Sequence, residues 1–308
     1  MINTFSPSFQ FNTSTESPTL AITASKLIVS IFLFIQFLFG LVVNALYLWV
    51  LKFRMKPSVN NVWLFHLVIT NLVFLLLQPI SIIYVLMKPH WIFGMFLCKV
   101  HHSMISFCLF AAVFLITGVS LNRYLLVYHP HWYIRLGHAS AVCYGLWGLA
   151  ILCSSPYLLF RVTKWKDNFT ICYNDYTFSG KWENVEAQVK WGMFFFRVLV
   201  SFLLPSVIIA VCHFKILFKI KSQRRSSTKP YKVIFLATAT FLVCLTPYHI
   251  AYGMSLARGG FENGMLLILK MISTYIYSFI GPICYLFIME DFTKEFRKFI
   301  HLFAPLTS

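Results

Sequence analysis

Seven long apolar stretches cross this chain of 308 residues. Nearly every one carries a single polar or helix-breaking residue at depth: Asn44, Asn71, Arg123, Trp147, Pro205, Pro247 and Pro282. A stretch of roughly 20 mostly apolar residues is what a helix needs to cross a bilayer. The segments 27–51, 60–87, 97–127, 139–161, 190–218, 230–257 and 264–289 each meet that length. Charge and proline are costly in hydrocarbon, so their regular recurrence inside such stretches marks function rather than filler. The predicted fold is therefore an all-α membrane protein, a seven-transmembrane helix bundle. With 59% hydrophobic and only 11% charged residues, the chain is too oily for a soluble domain of its length. Its predicted organisation is a polar segment over 1–26, the membrane domain over 27–289 and a short tail over 290–308.

Seven crossings put the two termini on opposite sides, and lysine and arginine near the span ends decide which side is which. One side holds 15 of the 26 basic residues, with the run 219-KIKSQRRSSTK-229 the densest. That side is expected in the cytoplasm, so the N-terminus is expected outside the cell. Residues 1–26 lack the charged-then-apolar pattern of a cleaved signal peptide, and the first span is expected to direct insertion itself. A net charge of +17 would point to nucleic acid in a soluble protein. Here juxtamembrane lysines and arginines meet anionic membrane lipid instead, and no nucleic-acid partner is expected.

Two glycosylation triplets, at Asn12 and Asn168, both fall on the expected outer side. Six of the eight cysteines lie within spans and read as small apolar residues. The other two are Cys98, at the start of the third span, and Cys172, in the long outer loop. An oxidising exterior allows them to pair and to staple that loop over the bundle.

The landmarks resemble those of the rhodopsin-like G-protein-coupled receptors, over essentially the whole chain from the first span to residue 300. They are 40-GLVVN-44, Cys98, 122-NRYLLVYHP-130 with Arg123 placed 25 residues after Cys98, Trp147, Pro205, 244-CLTPYH-249 and 281-GPICY-285. The segment 290-EDFTKEFRKFIHLF-303 alternates phenylalanine with basic residues and is similar to the family's short amphipathic eighth helix. The stretches 45–60, 91–100, 120–130 and 197–205 further resemble the chemoattractant branch, whose members include formyl-peptide-type receptors. The resemblance implies a plasma-membrane receptor that passes a signal to a heterotrimeric G protein, and no enzyme.

It also implies roles for particular residues. Arg123 and Tyr124, with Tyr285 of the seventh span, correspond to the family's coupling residues. The acid that restrains this arginine in the family is Asn122 here, leaving a weaker neutral hydrogen bond in its place. Asn71 and Gly281 replace two groups that help hold a sodium ion, so no sodium effect on ligand binding is expected. Leu245 and His213 replace two further parts of the family's activation switch. A receptor-fold decoy or scavenger that no longer signals is therefore the alternative reading.

On the ligand side, spans two to seven present no carboxylate before Glu290, and Ile105 stands where amine receptors carry an acid. A cationic ligand would find no counter-ion. The available charge is Arg197, two helical turns outward of Pro205, where related chemoattractant receptors use a basic residue to grip a ligand carboxylate. Its other reading is a side chain snorkelling to the outer headgroups. His102 matches a formyl-peptide-receptor residue but reads equally well as an ordinary buried imidazole. Ser106 and Met193 replace charged groups of that site. Phe194, Phe195, Phe196, Tyr248, His249 and Tyr275 are expected to line the pocket. An acidic peptide or an acidic lipid fits such a site.

A transporter would show internal repeats or broken half-helices, and none is legible. The histidines His66, His101, His102 and His213 lack the spacing and carboxylate partners of a metal site. Neither metal nor cofactor is expected.

Overall fold

The computed structural model describes residues 18–87, 89–132, 136–222, 229–257 and 269. The predicted seventh span, the amphipathic segment and the sites at Asn12, Tyr275, Gly281 and Tyr285 lie outside the described residues. The first helix, α1 (Pro18–Phe53), begins earlier than the apolar stretch predicts. The second span, expected as one run over 60–87, is two helices, α2 (Val59–Leu76) and α3 (Gln78–Met87). They meet at Leu77, whose N–H reaches back to the Phe74 carbonyl at 3.2 Å. The cause is Pro79, which lacks an N–H and disfavours helical backbone in the residue before it. Ser58 caps the start of α2 by accepting a hydrogen bond from the Asn61 N–H.

The third span is α4 (Gly94–Tyr128), and it is the axis of the molecule, touching α2 and α5 (Leu136–Phe160) along its length. From Leu109 to Leu115 every residue of α4 is buried. Inside a bilayer, lipid tails are as apolar as leucine, so helices associate through close packing rather than water exclusion. Gly118 is one such close approach: a Cβ there would lie 2.6 Å from the Trp63 ring. The outer faces carry exposed apolar residues such as Leu152, Val207, Phe214 and Phe218, as lipid contact requires.

The fifth span is not one regular helix. α6 (Glu186–Val198) passes through a π-helical turn (Leu199–Leu203) into α7 (Leu204–Ser222). Pro205 cannot donate a backbone hydrogen bond, and the Leu204 N–H reaches five residues back to the Leu199 carbonyl. The sixth span, α8 (Lys229–Ala257), contains Pro247. Among the described residues five helices are long and apolar enough to cross a membrane.

The loop between the fourth and fifth spans adds an element that the all-α expectation lacks. It is an antiparallel hairpin of β1 (Arg161–Lys166) and β2 (Phe169–Asn174). Asp167 and Asn168 form its two-residue turn, both with positive φ (49° and 65°), a conformation those residue types tolerate. Asn168 is thus exposed at the tip. Cys172 of β2 is bonded to Cys98 of α4, which fastens the hairpin to the third span.

Candidate receptor site

Arg197 ends the last turn of α6 and is only 4% exposed, so it points into the bundle and does not snorkel to headgroups. Ser201 in the π turn donates to the Arg197 carbonyl at 2.7 Å, tying the irregular turn to the residue that carries the charge. One guanidinium nitrogen, Nη1, donates to the Tyr157 hydroxyl at 2.9 Å and approaches the Ser106 hydroxyl at 3.5 Å. The rings of Tyr157, Tyr248 and Tyr252 surround the guanidinium at 5.2, 5.5 and 5.5 Å. These faces stabilise a cation without neutralising it. No carboxylate contacts Arg197 among the described residues, and its Nε is buried without a hydrogen-bond partner. A desolvated cation held only by neutral groups calls for a counter-charge.

The predicted lining is brought together only in part. Ser106 and Tyr248 meet Arg197, as above. His249 is buried beside them, its ring 5.1 Å from that of Tyr248 and 5.3 Å from Phe202, with both ring nitrogens unpartnered. Phe194 packs on Tyr252 at 5.8 Å. Phe195, expected in the lining, is instead 62% exposed on the outer surface of its helix, and Phe196 is also exposed. The three phenylalanines are consecutive, and a helix turns successive side chains to different directions. His102 lies near Tyr84 and Trp91, at 6.2 and 5.8 Å, one helical turn above Ser106. Tyr157 and Tyr252 were not picked out from sequence. Tyr252 could have been found, standing four residues after Tyr248 on the same helix face. Tyr157 reaches Arg197 only through the packing of two spans.

At the other end of the third span, Asn122 is buried and Arg123 half-buried. The neutral hydrogen bond expected from Asn122 is not formed: its Oδ1 has no partner. The tyrosines that follow reach the fifth span. The ring of Tyr124 stacks on Tyr128 at 4.9 Å, and the Tyr128 hydroxyl donates to the Lys215 carbonyl at 2.7 Å. The Lys219 ammonium sits 4.4 Å from the Tyr128 ring and donates to the Val127 carbonyl. Together they fasten the end of α4 to α7.

A bundle of apolar helices around a central third span, with a caged cation near one end and an Asn-Arg-Tyr sequence near the other, defines a class. The family model of the 7 transmembrane receptor (rhodopsin family) matches residues 21–290, and the chain belongs to that family. It is thus a seven-helix, multi-pass protein of the plasma membrane, a receptor and not an enzyme. Over 288 residues it is 37% identical to Probable G-protein coupled receptor 33 of Homo sapiens, covering 90% of this chain and 86% of that protein. It is 35% identical over 312 residues to the Mus musculus protein of the same name, covering 97% and 92%. Chemerin-like receptor 1 of Sus scrofa is 32% identical over 288 residues, covering 87% of this chain and 78% of that receptor. These relatives agree with the chemoattractant branch expected from sequence.

Proposed function

We propose that this chain is a cell-surface receptor, its N-terminus outside, that binds an acidic peptide or lipid at Arg197 and signals to a heterotrimeric G protein. Residues 1–26 then face the exterior and 290–308 the cytoplasm. Arg123, Tyr124 and Tyr285 form the coupling end. Ser106, Tyr248 and His249, with His102 and Tyr275, complete the ligand end. One observation carries the ligand assignment: a buried guanidinium, lodged among three tyrosine rings, that contacts no carboxylate among the described residues. A ligand carboxylate would supply the missing counter-charge through a charge-assisted hydrogen bond, and a cationic ligand would be repelled.

The test is a screen of acidic peptides and acidic lipids, run in parallel on the wild type and Arg197→Ala. Removing one partner of a buried charge pair costs about 2–5 kcal/mol, so the variant should lose any acidic agonist the wild type answers. A full response from Arg197→Ala would remove Arg197 from the ligand site. Binding without G-protein activation would instead identify a decoy of the same fold.

A further inference from the structure

The short connection from α3 to α4 holds the edge of the hairpin, and one of its two holds can take up a proton. With Asp167 and Asn168 as a two-residue turn, Lys166 and Phe169 are the pair that exchange ladder bonds. The next pair, Trp165 and Thr170, exchanges none, so the N–H and C=O of Thr170 point away from β1. The connection takes both. The Thr170 N–H donates to Nδ1 of His90 at 3.1 Å, and the Trp91 N–H donates to the Thr170 carbonyl at 2.6 Å. Beside these bonds the His90 and Phe169 rings lie 6.1 Å apart.

Each side of this contact is anchored on its own. His90 donates its N–H to the Met87 carbonyl at 2.9 Å, at the end of α3, and the buried Trp91 donates its indole N–H to the Gly94 carbonyl at 2.8 Å. On the hairpin, Cys172 is bonded to Cys98 two residues past Thr170. Beyond that bond every residue from Lys164 to Phe169 is exposed, so the tip relies on the contacts at Thr170.

An imidazole that accepts at Nδ1 is neutral and carries its hydrogen on Nε2. A second proton turns Nδ1 into a donor facing the Thr170 N–H, and the bond is lost. No new partner compensates. The hairpin face that bears Phe169 also bears Lys166, Lys164 and Tyr173. Asp175, past the end of β2, is engaged by Thr177 and Ser179, and Lys99 of α4 by the Leu158 carbonyl. Lys88 lies outside the described residues. Among the described residues no ion pair or hydrogen bond joins His90 to a carboxylate, that of Asp167 in the turn included.

We propose that His90 is a proton-operated clasp on the hairpin. Neutral, it holds Thr170; charged, it loosens the tip while the disulfide keeps the base in place. The clasp is complete above the range in which imidazoles titrate and lost below it, a change that falls between about pH 8 and pH 5. On the reading that places the N-terminus and this hairpin outside the cell, the trigger is extracellular acid.

The experiment follows hydrogen exchange at the Thr170 amide in the full-length receptor in nanodiscs of zwitterionic lipid, at pH 8 and pH 5 and corrected for intrinsic rates. Wild type, His90→Asn and His90→Ala are compared, with melting temperatures as the folding control. Residues 175–180, ordered by Asp175, are the reference that does not step over this range. Protection of Thr170 in the wild type should fall about tenfold in acid, the worth of one well-made hydrogen bond. His90→Asn offers an amide oxygen in place of Nδ1 and takes up no proton, so its acid step should vanish. His90→Ala should lack the extra protection already at pH 8. Equal wild-type protection at pH 8 and pH 5 overturns the clasp, as does a step that persists in either variant, or a His90→Ala form as protected as the wild type at pH 8. Exchange reads both faces of a nanodisc, so these outcomes stand whichever side the hairpin faces. Antibody access to an N-terminal epitope tag on intact cells tests the outward reading separately.

Discussion

Gly118 shows how little room the third span leaves. A methyl group there would meet the Trp63 ring at 2.6 and 2.7 Å and Leu146 at 3.2 Å. Trp63 is itself buried and cannot retreat. Overpacking of this kind costs about 1–3 kcal/mol, so Gly118→Ala should lower the melting temperature of the detergent-purified receptor by several degrees. An unchanged melting temperature would mean that Trp63 repacks freely. Asn122 makes the opposite case, a buried amide whose oxygen has no partner. An acid at that position would stand next to Arg123 and restrain it, so Asn122→Asp should lower ligand-free G-protein activation. Equal basal activity in the two forms would contradict that. At this scale Arg197 was legible because its place is measured along the chain, two helical turns from Pro205. Its tyrosine cage was only half legible, because Tyr157 enters from a different span and no local spacing announces it.

The hairpin is the element on which the ligand end depends. Its disulfide closes a loop across a sequence separation of 74 residues, and removing such a link costs about 2–5 kcal/mol. The paired change Cys98→Ser with Cys172→Ser should therefore lower the melting temperature and loosen the hairpin from the third span. A double variant as stable as the wild type would show that the Trp91 N–H bond to the Thr170 carbonyl suffices. Beyond the hairpin, Asp175 organises the following turn by accepting from the Thr177 N–H and hydroxyl and from the Ser179 N–H. Partial burial opposes its charge, but these hydrogen bonds outweigh burial, and with Lys164 they hold the carboxyl below its ordinary value. A carboxyl depressed in the folded state adds stability above its unfolded value, near pH 4, and loses it as pH falls through the folded value. Hydrogen exchange over residues 175–180 should accordingly be flat from pH 8 to pH 5, once corrected for intrinsic rates, and rise only below about pH 4. A rise already at pH 6 would assign the turn's order to another group.

Elements were legible to different degrees for physical reasons. Apolar length located six of the seven spans, and the described helices match them within a few residues except at the N-terminus of α1, which starts nine residues early. The break at Leu77 was missed because hydropathy stays high across Val59–Met87 and does not register the missing N–H of Pro79. Pro205 marked a break in the fifth span, but apolar length alone does not tell a π turn from a simple kink. The hairpin was missed because each strand is only six residues long and its burial does not alternate from residue to residue.

For the molecule as a whole, the caged cation and the Asn-Arg-Tyr end lie on one central helix system, with α4 touching the second, fourth and fifth spans. An event at Arg197 on α6 can reach Tyr128 through α7, because the π turn joins those two helices and Lys215 and Lys219 bind the third span. Leu245 and His213 are both buried in that bundle, so any signal must travel by the packing that is present. The most direct measurement is nucleotide exchange on purified heterotrimeric G proteins by the reconstituted wild-type receptor. It compares a carboxylate-ended hexapeptide pool and palmitate with the same peptides amidated at the C-terminus and with palmitamide. Exchange driven by at least one acidic probe and not by its amide counterpart is the result predicted here. Equal stimulation by acid and amide, or none by either acid, would contradict a receptor read through the charge on Arg197.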